Sequence, residues 1–465
     1  MAMSGTTLCP ACEVLRQKIA DLQAKVVELE GKLAKSQKTS RNSSKPPSTD
    51  IVKPARKKSK GKRKIGGQPG HLPHQRSAFP IDQVDECIEY SWPSCPDCGG
   101  PVEASDEPPR VLQQIEIIAK PTVVTEHRGV ACWCASCQKT HYAPIASAVR
   151  RAGLLGPRLT ALVAFLKCVC HASFSTVRKF LRDVVGVRVS RGYLAKVCAK
   201  VSDSLAAPYE HLLALLPKQP YLNTDETGHK NNGQAYWTWC FRAPLFTLFK
   251  VSPSRGADVL LDVLGKEFEG VLGCDYFSAY RKYMRECNVL VQFCLAHLIR
   301  DIKFLTTHPN RRNRAYGERL LAAARALFGL IHRRTRMSPE RFALELEDAG
   351  NELWAAAVCR VPNTREANNL ARRFEKHGDS YIRFITTPGI EPTNNLAEQA
   401  IRFVVLDRHV TQGTRGETGQ RWSERIWTAV ATCAQQTRSV FTFIHEAVTA
   451  FFQDAPPPRL VANTS

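Results

Sequence analysis

The sequence predicts a multidomain α/β protein, and three observations predict it. After Pro217 the apolar spacing turns from helical to strand-like, with strands at 220–224, 235–241 and 245–251 and then alternating helix and strand. Before that point, residues 156–205 carry three successive helical stripes. Nearer the N-terminus lie a heptad-spaced helix, an arm rich in Lys and Arg, and two Cys-x-x-Cys knuckles.

Composition limits the function before any motif is read. A chain of 465 residues with 43% hydrophobic and 23% charged residues is globular and long enough for several domains. No stretch holds the roughly 18 uninterrupted apolar residues that a membrane span needs, so no membrane partner is expected. The opening MAMSGTTLCPACEVLRQ lacks the basic-then-apolar pattern of a signal peptide, which predicts a cytoplasmic, nucleoid-associated protein. The net charge is +22, and it is concentrated. Residues 38–76 hold twelve Lys or Arg against Asp50 alone, and residues 150–200 hold eleven against Asp183 alone. Two such concentrations favour a polyanion, and nucleic acid above all. Most of the seventeen cysteines are scattered singly, as at Cys168, Cys170, Cys198, Cys240 and Cys433, and read as reduced core residues.

Taken in order, Leu15, Ile19, Leu22, Val26, Leu29 and Leu33 make a heptad seam within a helix over 13–36, a signal for self-association. The segment 37–80 cannot bury apolar surface and is expected to be a disordered, phosphate-binding arm carrying Arg56, Lys57, Lys58, Lys62, Arg63 and Lys64. In 84–145, Cys95, Cys98, Cys134 and Cys137 offer four thiolates to a structural Zn²⁺, with strands expected at 111–118 and 122–130 between the knuckles. Cys132 is an alternative to Cys134, and the pair Cys9 and Cys12 has no partner pair nearby. The three stripes of 150–210 predict a helix-turn-helix unit. Its last helix is capped by Ser190 and turns Arg191, Lys196 and Lys200 outward to DNA.

Residues 218–453 read as a ribonuclease-H-like domain, followed by a flexible tail at 454–465. Asp225 ends its first strand and Asp275 its fourth, and these strands are neighbours in that topology. Two carboxylates converging at a buried strand end need a cation, and Mg²⁺ or Mn²⁺ suits them. Glu398 is the candidate third acid, with Glu391 as its rival, while Glu226 should face the other side of the strand. Three carboxylates suit two-metal phosphodiester chemistry, with the ions roughly 4 Å apart. Arg402, one helical turn after Glu398, is placed to touch a phosphate. Spacing alone leaves a solvated surface acid as the alternative at each position.

At these residues the sequence resembles the insertion-sequence-66 transposases. The resemblance runs in order through NSSKPPS (42–48), GGQPGH (66–71), the paired knuckles, TDET (224–227), CDYFSAY (274–280), PTNNLAEQAIR (392–402) and the stretch 414–436. It implies Asp225, Asp275 and Glu398 as a metal-binding DDE triad, with Mg²⁺ as cofactor. It also implies strand cleavage and strand transfer at the terminal inverted repeats of an insertion sequence. The partners implied are double-stranded end and target DNA, a second copy of the chain, and accessory proteins of the same element. Cys294 and His297 look like a CxxH motif of several transposase families, whose role stays open beside a core Cys and a helix-start His. The 123 residues from Asp275 to Glu398 are too many for one connection, so a helical insertion is expected at about 308–388. Phe403 and Asp407-Arg408-His409 depart from the family pattern and leave Arg408 as the phosphate-binding residue of that stretch. The competing readings are a DNA-binding protein without catalysis and a structure-selective nuclease on the same fold.

Overall fold

The structure, a computed structural model, describes residues 10–36, 38, 78–91, 93–101, 103, 111–115, 117–118 and 121–462. The basic cluster from Arg56 to Lys64 lies outside the described residues, as does Cys9. The chain divides into two compact units, Met1–Pro54 with Glu126–Ser465, and Ala55–Thr125.

In the smaller unit the Gln113 amide brackets the backbone of Phe79, accepting from its N–H at 2.7 Å and donating to its carbonyl at 2.9 Å. The strands expected at 111–118 and 122–130 do not form among the described residues. Leu112 is 88% exposed and Val123 94% exposed. Alternating apolar residues make a strand only where a second strand or a core covers them, and neither does here.

The larger unit opens with α1 (Pro10–Ser36), whose heptad residues from Leu15 to Leu33 are all more than half exposed. A hairpin, β1 (Ala131–Cys134) with β2 (Lys139–Tyr142), leads to α2 (Ser147–Ala152). Next come α3 (Pro157–Cys168), α4 (Phe174–Phe180) and α5 (Arg191–Ser204). Pro157 starts α3, where its missing N–H costs nothing. Ser173 and Ser190 cap α4 and α5 by accepting from Thr176 N and Tyr193 N, each at 3.1 Å. A π-helical turn, Leu181–Val185, extends α4 and stops at Gly186, whose φ of 78° suits glycine. Leu155, Val163, Val177, Leu181, Val185, Leu194 and Val197 close the core between these helices. The stripes read from the sequence therefore face one another.

After α6 (Ala206–Leu215) comes a five-stranded mixed sheet. Its strands are β3 (Tyr221–Asn231), β4 (Gln234–Arg242), β5 (Thr247–Ser252), β6 (Val271–Cys274) and β7 (Leu290–Phe293), in the order β5-β4-β3-β6-β7. The first three meander antiparallel, and β6 and β7 join in parallel through α7 (Ala257–Leu264) and α8 (Ser278–Cys287). Beyond β7 lie α9 (Leu295–Thr306), α10 (Arg311–His332), α11 (Pro339–Val358) and α12 (Arg365–Thr386), then α13 (Asn395–Thr411), α14 (Gly416–Gln435) and α15 (Val440–Gln453). Helices α10, α11 and α12 fill the interval between Asp275 and Glu398 with helical structure, as its length requires.

The outer edge of β5 is covered by α14. Val251 N donates to Glu424 Oε1 (2.7 Å), Phe249 N to Thr428 Oγ1 (3.0 Å) and Thr247 N to Thr432 Oγ1 (3.2 Å). One helical turn rises about 6 Å per four residues and two strand residues rise about 6.6 Å, so helix positions i, i+4, i+8 match alternate strand amides. The free edge is satisfied by side chains and closed to further pairing.

Candidate active site

Asp225 sits inside β3 rather than at its end. The strand runs on to Asn231 against β4, but its parallel pairing with β6 stops at Asn223 opposite Gly273. The sheet therefore opens beside Asp225 on the β6 side, where Asp275 follows directly after β6. Side chains of β3 lie close over Gly273, where a Cβ would stand 2.8 Å from the Tyr221 hydroxyl and displace it.

The acids crowd together. Burial pushes the Asp225 carboxyl well above the usual range, and the charges of Glu226, Asp275 and Glu398 push it further. Asp275 is pushed up to about 7, first by burial and then by Glu226, although its Oδ1 accepts from Phe277 N at 2.9 Å. Glu226 faces Arg255 (2.7 Å) and the Tyr280 hydroxyl, with its side chain only 2% exposed. Its charge acts on both aspartates and balances the Arg255 guanidinium, which rests 4.0 Å over Phe277.

Glu398 lies in the first turn of α13. The loop before it is threaded into the sheet: Leu295 N donates to Pro392 O (3.0 Å), and Asn394 N to Cys294 Sγ (3.1 Å). The buried Asn394 amide donates to Thr224 O at 2.7 Å, the residue before Asp225. Asn394 thus fixes the start of the Glu398 helix to the Asp225 strand, a role the phrase PTNN did not disclose. Glu391 is exposed in that loop, and its charge acts on the Tyr221 hydroxyl.

Cys294 is the N-cap residue of α9, His297 lies on its first turn and Arg300 on the next. Arg300 lies 3.2 Å from His297 Nε2 and 3.6 Å from Glu398 Oε2. A guanidinium only donates, so Nε2 accepts and the ring proton sits on Nδ1, which faces Glu398 Oε1 at 3.6 Å. Burial, then Arg300, lowers the His297 pKa. Burial holds the Cys294 thiol at about 11. Arg300 was not singled out from the sequence, although its spacing of three from His297 places both on one helix face.

Carboxylate oxygens are the donors a hard divalent ion prefers. Glu398 Oε1 is buried without a hydrogen-bond partner among the described residues, and so is His297 Nδ1, whose proton keeps that nitrogen from ligating in this tautomer. Donor atoms of Cys294, His297 and Glu398 lie within 4.8 Å of one another. Of the accessory cations, Arg402 is exposed on α13, whereas Arg408 turns inward and donates to Thr227 Oγ1 at 3.2 Å.

Other candidate residues fall elsewhere. Arg191 and Lys196 are exposed on α5, but Lys200 is not turned outward to solvent. Its ammonium caps α2, donating to Arg151 O (2.7 Å) and Ala152 O (3.0 Å), because the helix end supplies carbonyls that need donors. Cys95 and Cys98 lie on a tight turn in the smaller unit, where Gly99 N donates to Cys95 O at 2.8 Å. Cys134 and Cys137 lie on the β1–β2 turn in the larger unit. Backbone N–H groups of Cys98 and Cys137 lower the Cys95 and Cys134 thiols respectively. His141 Nε2, unforeseen from the sequence, lies 3.3 Å from Cys137 Sγ.

Residues 7–77 match a family of unknown function, DUF6444. The chain is 23% identical over 438 residues to the uncharacterized protein y4qI of Sinorhizobium fredii (strain NBRC 101917 / NGR234), covering 86% of this chain and 78% of that protein. Residues 152–421, which hold the three helices, the sheet and the acid cluster, match the Transposase IS66 family. By that match over more than half its length, the chain belongs to the IS66 transposase family.

Proposed function

We propose that the protein is a DDE transposase that cleaves DNA strands and transfers them at the inverted-repeat ends of its own insertion sequence. The observation that carries the reading is that the charges of both Asp275 and Glu398 act on the buried Asp225 carboxyl, beside the open end of the β3–β6 pair. The sheet order, with an antiparallel meander followed by parallel strands, supports a ribonuclease-H-like assignment.

In this reading the three carboxylates hold Mg²⁺ or Mn²⁺. The metal supplies Lewis-acid activation of the attacking oxygen and charge neutralisation at the leaving one. Glu226 and Arg255 set the charge behind the aspartates, and Asn394 holds Glu398 in reach. His297, neutral and with its proton on Nδ1, orients the Glu398 carboxylate. Arg191 and Lys196 contact DNA phosphates from α5, joined by the basic arm and by Arg402. The thiolates of Cys95, Cys98, Cys134 and Cys137 hold structural Zn²⁺, and the uncovered seam of α1 pairs with a second copy.

The test is cleavage and joining on DNA carrying the element's two ends, with purified protein, Mg²⁺ and any accessory proteins. The parent is expected to release and join 3′ ends. Asp275→Ala should bind the same DNA and leave it uncut, and cutting by that variant would remove Asp275 from the chemistry.

A further inference from the structure

A cleft of about 780 Å³ opens between α8, β7 and α12 of the larger unit. Arg281, Arg285, Arg372, Arg373, Lys376 and Arg383 line it, and no acidic residue does. Small-molecule pockets of this size are mostly apolar with a few polar groups. This one is the reverse, and it is open.

The cations form a row rather than one focus. On α12 they run from Arg372 to Arg383 across a kink at His377, a length of at most roughly 16 Å at the helical rise. Successive phosphates of a duplex strand advance about 3.4 Å along the axis, so the row spans several phosphates rather than one. Part of it is held in place. The Tyr276 ring carries the Arg281 guanidinium at 4.5 Å and that of Arg373 at 4.6 Å, and Arg373 is further fixed by Asp301 at 2.8 Å. Arg281 Nε is buried without a hydrogen-bond partner among the described residues. Arg372 and Lys376 are exposed, and Arg285 is exposed with only a long 3.9 Å contact to Glu286. Tyr276 is the residue after Asp275, so the row begins where the acid cluster ends.

We propose that this cleft is a track for the sugar-phosphate backbone of the DNA strand that runs past the acid cluster, with the insertion helix α12 as one wall. The helical insertion is then a DNA-binding element and not only a spacer. The inference rests on reading Asp275 as part of a DNA-cutting site. It concerns phosphates, so the track is indifferent to base sequence.

The test uses the full chain in EDTA with a 30-base-pair duplex of arbitrary sequence. Lys376 acetylation, read by mass spectrometry, should fall several-fold on adding the duplex. Lys266, which precedes β6 at the end opposite Asp275, should be labelled as before. Arg285→Glu with Arg372→Glu should lower the slope of log affinity against log salt by about 2, at roughly 0.9 per lost phosphate contact. The equal charge change Arg325→Glu with Arg336→Glu should not. Unchanged Lys376 labelling, or equal slopes for the two double variants, overturns the proposal. Protection by inorganic triphosphate as strong as by duplex also overturns it, in favour of a small-anion site. Because no cleavage is read, a catalytic Asp275→Ala variant would sink the cutting site while leaving this footprint to be judged separately.

Discussion

Asp225 and Asp275 keep the register of the parallel β3–β6 pair two residues beyond its last partners, Asn223 and Gly273. Backbone pairing thus brings both residues to neighbouring positions beyond the paired ends, and the charge of Asp275 acts on Asp225. Such an arrangement is costly without a cation, and the cost is measurable. Burial first, then Glu226, lifts Asp275 to about 7, above the roughly 3.9 of an unfolded chain. The stability tied to the acid form is present in full below about pH 4 and is lost as pH rises through 7. Metal-free protein should therefore melt lower at pH 8 than at pH 5.5. Asp275→Asn should flatten that difference by on the order of 1 kcal/mol or more, and Mg²⁺ should restore the parent at pH 8. Thermal melts at both pH values with EDTA and with Mg²⁺ decide this, and equal slopes for parent and variant would count against it.

Asn394 offers a second test. Its amide donates to Thr224 O beside Asp225 while its own N–H meets Cys294. Asn394→Ala should reduce cleavage about 10–100-fold, as loss of an outer partner of a metal ligand does, and cost about 1–3 kcal/mol. Asn394→Asp keeps the shape but loses the donor, so it should fail in the same way. Full activity in the aspartate variant would show that the Thr224 bond does not place Glu398.

Asp407 joins the three-helix region to helix α13. It is buried, takes the Trp427 indole N–H at 3.0 Å and lies 3.2 Å from His171 Nδ1, in the turn between α3 and α4. Asp407→Ala strands a buried donor and should lower stability by about 2 kcal/mol. Combined with Trp427→Phe, the added loss should be smaller than the sum of the two. Denaturant melts of the four proteins measure this, and strict additivity would show that the two side chains are not coupled.

The knuckles predict a metal count. Purified protein should carry one Zn²⁺ per chain by plasma mass spectrometry, and Cys95→Ser and Cys134→Ser should each lower it well below one. A count that neither substitution changes would leave the thiols without a metal.

Much of this was legible in the sequence, for physical reasons. Caps at Ser190, the start at Pro157 and the stop at Gly186 are local signals, and the helices obey them. The strand order placed Asp225 and Asp275 on adjacent strands because hairpin and crossover lengths leave few alternatives. What stayed hidden was set by partners distant in sequence. The 111–118 stretch has strand-like composition and no strand, since nothing in the described structure covers it. Lys200 is spaced like an outward cation but meets the end of α2. Alternation along β3 sets Glu226 apart from Asp225, and its carboxylate meets Arg255 and Tyr280, yet its charge still reaches both aspartates.

The most direct measurement is Mn²⁺ binding to the full chain, followed by electron paramagnetic resonance, since it needs neither the element's ends nor accessory proteins. The parent, Asp225→Ala, Asp275→Ala, Glu398→Ala and Glu391→Ala would be titrated side by side. The account predicts a site present in the parent and in Glu391→Ala, and weakened at least about 10-fold in each of the other three. Parent-like binding in any of those three would contradict the convergence of Asp225, Asp275 and Glu398 on one metal centre.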